Sequence, residues 1–201
     1  MRAFVAIFPP PEVRAAAAAG AREAIRRLDR RLADLVHWTC PENIHLTLKF
    51  LDNRVREETL GNLRLILADT CAGHVPFDVL LLGLGAFPSA RRTRILWAGV
   101  GAGSDKLRTL AADLDDALSP LGFGREERPY TPHLTVGRAR NRPVSLDLQR
   151  TKLAAQELEF RVTQIKLVRS RLKPREASYE VIEAFALGEE GSPSKRPREV
   201  R

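Results

Sequence analysis

One four-residue pattern occurs twice in this chain, as His45-Leu46-Thr47-Leu48 and as His133-Leu134-Thr135-Val136. Only four histidines are present, so half of them sit in this frame. On a β-strand alternate side chains point to the same face. Each copy therefore aims a histidine and a threonine one way and two aliphatic side chains the other. A fold that satisfies both copies must set the two aliphatic faces on a core. Brought side by side, the two strands would leave two imidazoles and two hydroxyls facing one cleft.

The surrounding sequence divides into two halves of similar layout. Strands are expected at Arg2–Phe8, Val36–Thr39 and Ile44–Leu51, with a helix over Pro11–Leu35, where Pro11 opens the first turn and apolar residues recur at three- and four-residue spacing. Glu57–Ala72 reads as a second helix, followed by strands at Pro76–Phe87 and Thr93–Val100. Ser104 is placed to cap a helix running to about Leu118, and the second motif strand covers His133–Ala139. Glu157–Arg169 and Ser178–Leu187 alternate in the manner of a closing antiparallel pair. The stretch Asn141–Gln156 reads as loop and short helix. Residues 1–187 form one α+β domain of two pseudo-symmetric lobes around one cleft, and residues 188–201, all Gly, Pro, Ser and charge with little else, form a disordered basic tail.

The 201 residues carry a hydrophobic fraction of 44%, enough for a sizeable core. Net charge is +8, which favours polyanionic partners such as nucleic acid. No apolar run is long enough for a membrane span, and the N-terminal Met1–Phe8 segment lacks the features of a secretory signal. A cytoplasmic protein without a membrane partner is expected. Cys40 and Cys71 stand alone, outside any zinc-ligand spacing, and read as reduced thiols.

A pair of imidazoles is suited to acid–base work, because a histidine gives or takes a proton near neutral pH. With one imidazole on each side of a phosphorus, one activates water while the other protonates the leaving oxygen. The hydroxyls of Thr47 and Thr135 are placed to donate to phosphate oxygens. Lys49 shares the parity of His45 and Thr47, so it either faces the same cleft or is a solvated lysine at the strand end. Arg138 has the wrong parity for a regular strand, although a bulge at Gly137 would re-aim it. Tyr130 precedes the second motif and either stacks on a base or packs locally. Trp97 reads as core, and His37 and His74 as surface or locally bonded histidines.

The chain resembles the 2H phosphoesterases, whose signature is this pair of His-x-Thr-x motifs. Within that superfamily it is similar to the bacterial and archaeal RNA 2′,3′-cyclic phosphodiesterases, also called 2′-5′ RNA ligases. The resemblance runs through Arg2-Ala3-Phe4, Pro41–Leu51, Gly85-Ala86-Phe87-Pro88, Leu96–Val100, Arg128–Arg138 and, more weakly, Leu167–Leu172 with Tyr179. It implies a bilobal fold with two antiparallel sheets lining a central cleft and helices outside. It implies hydrolysis of a 2′,3′-cyclic phosphate, at an RNA end or on a nucleotide, to a 2′-phosphate, without a metal or other cofactor and with 2′-5′ ligation as the reverse reaction. By the same resemblance His45 is the general acid, His133 the general base, and Thr47, Thr135 and Arg138 bind the phosphate. Lys49 and Tyr130 are further candidates for substrate contact, and the protein is expected to act as a monomer. A 2′-5′ oligonucleotide or ADP-ribose cyclic phosphodiesterase, or a non-catalytic RNA-binding module, would use the same motifs. Asp52, where the family has Gly, and Pro174–Ser178, where it has a Gly-containing turn, depart from the pattern.

Overall fold

The computed structural model describes residues 1–53, 55–148, 158–171 and 177–189. Nine strands form one antiparallel sheet: β1 (Ala3–Ile7), β2 (Val36–Trp38), β3 (Leu46–Asp52), β4 (Phe77–Phe87), β5 (Ile95–Val100), β6 (His133–Ala139), β7 (Leu158–Val162), β8 (Gln164–Arg171) and β9 (Ser178–Ala186). Their spatial order is β7-β4-β5-β6-β3-β1-β8-β9, with β2 also on β6. That order sets four strands on each side of the β6–β3 junction. One lobe is β3-β1-β8-β9 and the other is β6-β5-β4-β7. They meet at a single pair, Leu46 with Leu134, the same position in the two motifs. Beyond it β3 and β6 part, and β2 takes over the edge of β6 from Gly137 to Ala139. The two expected sheets are thus halves of one curled sheet.

Four helices cover one face: α1 (Pro11–Leu28), α2 (Arg30–Asp34), α3 (Leu60–Ala72) and α4 (Ser104–Leu118). The packing crosses over. Helix α1 leaves the first lobe and packs on β6 and β7 of the second, whereas α4 leaves the second lobe and packs on β3 of the first. One core therefore runs behind both lobes, built on Val5, Ile7, Leu46, Leu48, Leu96, Ala98, Leu134 and Val136 from the central strands and on Ile25, Leu63, Leu67, Leu107, Leu110 and Leu114 from the helices. The opposite face of the sheet is left for the cleft.

Three expectations about the elements are corrected. The helix expected over Pro11–Leu35 breaks at Asp29, which is extended and whose side chain accepts from the Arg31 amide, starting α2 afresh. Ser104 is not the cap of α4 but its first residue. The cap position is Gly103, at φ 80°, where a Cβ would lie 2.4 Å from the Asp78 carbonyl oxygen. The alternating run ending at Arg169 is two strands that belong to different lobes: β7 pairs with β4, then the chain crosses at Thr163 and β8 pairs with β1 and β9. The amide of Gly188 donates to the Cys71 and His74 carbonyls, so the fold reaches one residue past the expected domain end. The rest of the expected tail from residue 190, and residues 149–156 of the expected loop, lie outside the described residues.

Candidate active site

Strand alternation turns Leu46 and Leu134, both fully buried, toward the helices. The residues that flank them, His45 with Thr47 and His133 with Thr135, turn to the open face. Because the junction is antiparallel, its register sets each histidine beside the threonine of the other copy. The motif residues expected to converge are therefore brought together around the pseudo-twofold junction.

Both imidazoles are held in the same way. Nδ1 of His45 lies 2.7 Å from the Asn43 carbonyl oxygen, and Nδ1 of His133 lies 2.7 Å from the Thr131 carbonyl oxygen. A carbonyl only accepts, so Nδ1 carries the proton in each ring and Nε2 is the nitrogen left for the cleft. Around His45 the aromatic packing is dense: Phe4 stacks at 4.8 Å, Phe8 stacks at 5.2 Å, and Tyr179 meets it edge-on at 5.1 Å. His133 meets Phe87 edge-on at 5.0 Å and Trp97 at 5.9 Å.

Burial, more than any other cause, favours the neutral form of both rings. The pKa of His45 is lowered to about 4 by burial and further by the positive fields of His133, Arg138 and Arg14, against the hydrogen bond to Asn43, which raises it. His133 is also lowered, by burial and by Arg138, against its bond to Thr131. Arg138 thus sits close enough to act on both histidines.

The placement of Arg138 follows from a bulge. Trp97 pairs with Thr135 and Leu96 with Gly137, which leaves Val136 as an extra residue on β6. Side-chain parity flips there, and Arg138 comes to the exposed cleft face. The bulge expected at Gly137 lies one residue earlier, with the expected effect. The first motif carries the same bulge: Ala6 pairs with Thr47 and Val5 with Lys49, leaving Leu48 extra. This overturns the cleft-facing parity of Lys49. Its side chain turns into the core, 2% exposed, and its ammonium pairs with the Asp115 carboxylate of α4 and the Gly124 carbonyl. Lys49 is a structural cation and does not contact the cleft. The cleft residue on that lobe is Phe50, 56% exposed, at the position Arg138 occupies in the other.

Tyr130 packs against the core, and its hydroxyl is buried without a hydrogen-bond partner among the described residues. Burial raises its pKa. Trp97 is corrected from core to cleft. It shares a face with Thr135 and lies over Gly85, where a Cβ would come within 2.1 Å of the indole. Only glycine leaves room for the ring on this strand. His37 is exposed on β2, opposite Arg138, and His74 bonds Asp113 at 2.9 Å. Among the described residues no group of His, Cys, Asp or Glu side chains is placed to share a metal ion. Cys40 is exposed and Cys71 is buried.

Arg14 was not singled out in the sequence. It donates from Nη1 to the carbonyls of Pro41 and Glu42, in the turn that carries His45, and lies 6.0 Å over the Phe8 ring. An arginine among many on an amphipathic helix gives no signal of this role.

The model of the 2′-5′ RNA ligase superfamily matches residues 9–174. The chain belongs to this superfamily. It is 36% identical over 174 residues to a protein of Methanothermobacter thermautotrophicus named RNA 2′,3′-cyclic phosphodiesterase, a match that covers 84% of this chain and 93% of the relative. A Thermus thermophilus protein of the same name is 33% identical over 98% of each chain. Among solved structures, TT0787 of Thermus thermophilus superposes with a TM-score of 0.78 at 30% identity, covering 94% of this chain and all of that one. E. coli LigT complexed with 3′-AMP shares the fold, with a TM-score of 0.71 at 24% identity, covering 92% of this chain and 97% of that one. The bilobal α+β architecture is that of these superfamily members. No helix among the described residues is long and apolar enough to cross a membrane.

Proposed function

We propose that this chain is an RNA 2′,3′-cyclic phosphodiesterase, opening the cyclic phosphate at an RNA end or on a nucleotide to leave a 2′-phosphate. The observation that carries the reading is the matched presentation of His45 and His133, each with Nδ1–H tied to a backbone carbonyl and Nε2 left for one cleft. The name shared by the relatives supports the substrate class.

In the proposed reaction Nε2 of His133 accepts a proton from water as the water oxygen bonds to phosphorus. The bond from phosphorus to the ribose 3′-oxygen breaks, and Nε2–H of His45 protonates that oxygen. Each transfer contributes roughly 10²- to 10⁴-fold. Thr47 and Thr135 donate to the non-bridging oxygens, and Arg138 offsets their charge. Burial first, and then the positive fields of Arg138 and Arg14, favour neutral His45, so in this reaction the ring takes its proton when the anionic substrate binds and its charge opposes those fields. With a 5′-hydroxyl in place of water as the group that attacks phosphorus, the same two proton transfers would open the cyclic phosphate into a 2′-5′ linkage, the 3′-oxygen again leaving as the hydroxyl.

The test is incubation of the protein, in EDTA, with 2′,3′-cyclic mononucleotides and a short RNA ending in a cyclic phosphate. A 2′-phosphate product that is lost in His45→Ala and in His133→Ala is the expected result. A 3′-phosphate product, or full activity in either variant, would overturn the assignment. A series of phosphodiesters with increasingly acidic leaving groups separates the two roles: a good leaving group rescues loss of the acid, His45, but not loss of the base, His133.

A further inference from the structure

The cleft carries more positive charge than a cyclic phosphate requires. That substrate brings a single negative charge at the reacting phosphorus, and Arg138 already stands beside both histidines. Two further cations lie around Phe8, the ring that stacks on His45, on the lobe of β1. Arg14 reaches in from the first turns of α1, and Lys166 from β8, where it pairs with Ala6 and so shares the cleft face. Both converge on one ring: the Arg14 guanidinium is 6.0 Å and the Lys166 ammonium 5.6 Å from the centroid of Phe8, which itself stacks on His45 at 5.2 Å. Among the described residues neither cation has a carboxylate partner, although most of the ion pairs on the surface involve exposed arginines. Phe8 is occupied by its cations and by His45, so it is not a free stacking surface for a base. Two unneutralised cations at one edge of a catalytic pair are a site for an anion.

We propose that Arg14 and Lys166 form a second phosphate subsite, which takes the phosphate on the 5′-oxygen of the ribose whose cyclic phosphate is opened. The inference rests on the cyclic phosphodiesterase reading and narrows it: the preferred substrate is an RNA end, in which every terminal ribose carries such a phosphate, over an unphosphorylated cyclic nucleoside. Among the described residues the other lobe has no equivalent at the matching strand positions. Strand for strand, Ala6 and Lys166 on β1 and β8 correspond to Trp97 and Gly85 on β5 and β4. Where the first lobe offers an ammonium, the second offers an indole lying over a glycine. The subsite therefore also orients the chain, with the 5′ side of the terminal ribose toward the lobe of His45.

Three substrates test this: a 2′,3′-cyclic nucleoside monophosphate, the same compound with an added 5′-phosphate, and a dinucleotide ending in the cyclic phosphate. The second and third are expected to show kcat/KM about tenfold or more above the first. In Lys166→Gln that advantage disappears while turnover of the first substrate is unchanged, and the salt dependence of KM for the dinucleotide becomes shallower. Equal turnover of all three, an advantage confined to the dinucleotide, or an advantage that survives Lys166→Gln would overturn the subsite. Calorimetry separates it from the reaction itself. A nucleoside 2′,5′-bisphosphate is expected to bind more tightly than a nucleoside 2′-phosphate, and the difference to vanish in Lys166→Gln. If none of the cyclic phosphates is opened but this difference is seen, the hydrolytic reading fails and the subsite stands. If cyclic phosphates are opened and the two ligands bind alike, the subsite fails and the hydrolytic reading stands.

Discussion

The two lobes present their histidines with the same backbone device and then surround them differently. His45 is enclosed by Phe4, Phe8 and Tyr179, with Arg14 pressing a positive field on it, whereas His133 meets Phe87 and Trp97 and is acted on by Arg138 alone. The shared part, a His and a Thr on one face of a bulged strand, is what any two-sided acid–base reaction at phosphorus requires. The unshared part differentiates the two sides. The lobe of His45 is more apolar around the ring and more cationic at its rim. The difference teaches that a pseudo-twofold scaffold supplies two equivalent proton carriers, and that the neighbouring strands then make them unequal.

The comparison breaks most severely if either histidine is removed. His45→Ala and His133→Ala should each cost about 10³-fold or more in kcat with saturating cyclic phosphate, and the double variant should cost less than the product of the two, as expected of groups that act as a unit. Steady-state kinetics of the three proteins would check this; strictly multiplicative losses would mean that the two rings act independently.

Next in size is Lys49→Ala. Removing one partner of a buried pair leaves the Asp115 carboxylate facing the core side of β3, at a cost of about 3–5 kcal/mol. Urea denaturation should show this loss, while the folded fraction keeps its kcat. A large fall in kcat with unchanged stability would return Lys49 to the cleft.

Acidification sharpens the contrast between the lobes. In the unfolded chain an imidazole takes up its proton near 6.5, whereas His45 in the fold does so only near 4. Above about pH 6.5 both states are neutral and the group leaves stability unchanged. As pH falls from 6.5 toward 4 the unfolded chain binds a proton that the folded one refuses, so stability is lost over that window, by about 3 kcal/mol from His45. His133, lowered in the same direction, adds to the loss. Chemical denaturation at a series of pH values should show a shallower acid limb in His45→Gln than in the parent. The same limb in both would place the burial cost elsewhere.

The mildest disturbance is Gly85→Ala. A methyl group there would meet the Trp97 indole at 2.1 Å, so the ring must move off β4 and away from its place beside His133. A loss of about 1–3 kcal/mol in stability is expected, together with a change in Trp97 fluorescence. Insertion of the methyl without either effect would mean that the indole is not seated as described.

Much of this was legible in the sequence because it depends on periodicity. Leu46, Leu48, Leu134 and Val136 are buried as their alternation requires, and the two histidines and two threonines converge on the other side. What alternation could not give was any position beyond a bulge. The extra residues at Leu48 and Val136 are set by the hydrogen-bonding register of β1 and β5, which a strand's own residues do not encode. Parity counting therefore left Lys49 between the cleft and the solvent, when it is buried in the core, and left Arg138 undecided, and one irregularity, repeated, accounts for both. Trp97 was misplaced for a different reason: its face depends on Gly85, a residue on another strand. The break at Thr163 was invisible because both flanking stretches alternate equally well, and only their partners differ.

The crossing at Thr163 has a consequence for how the catalytic centre is completed. The lobe of His133 is built from an uninterrupted stretch of sequence, β4 through β7, apart from the short β2 at its edge. The lobe of His45 is split, with β1 and β3 near the start of the chain and β8 and β9 after everything else, so the first motif waits for the last strands to dock. Tyr179, which closes the enclosure around His45, comes from β9. During synthesis from the N-terminus, the half-site that is encoded first is the half-site that is finished last. A chain interrupted between β6 and β9 carries both histidine motifs and still lacks the wall of one of them.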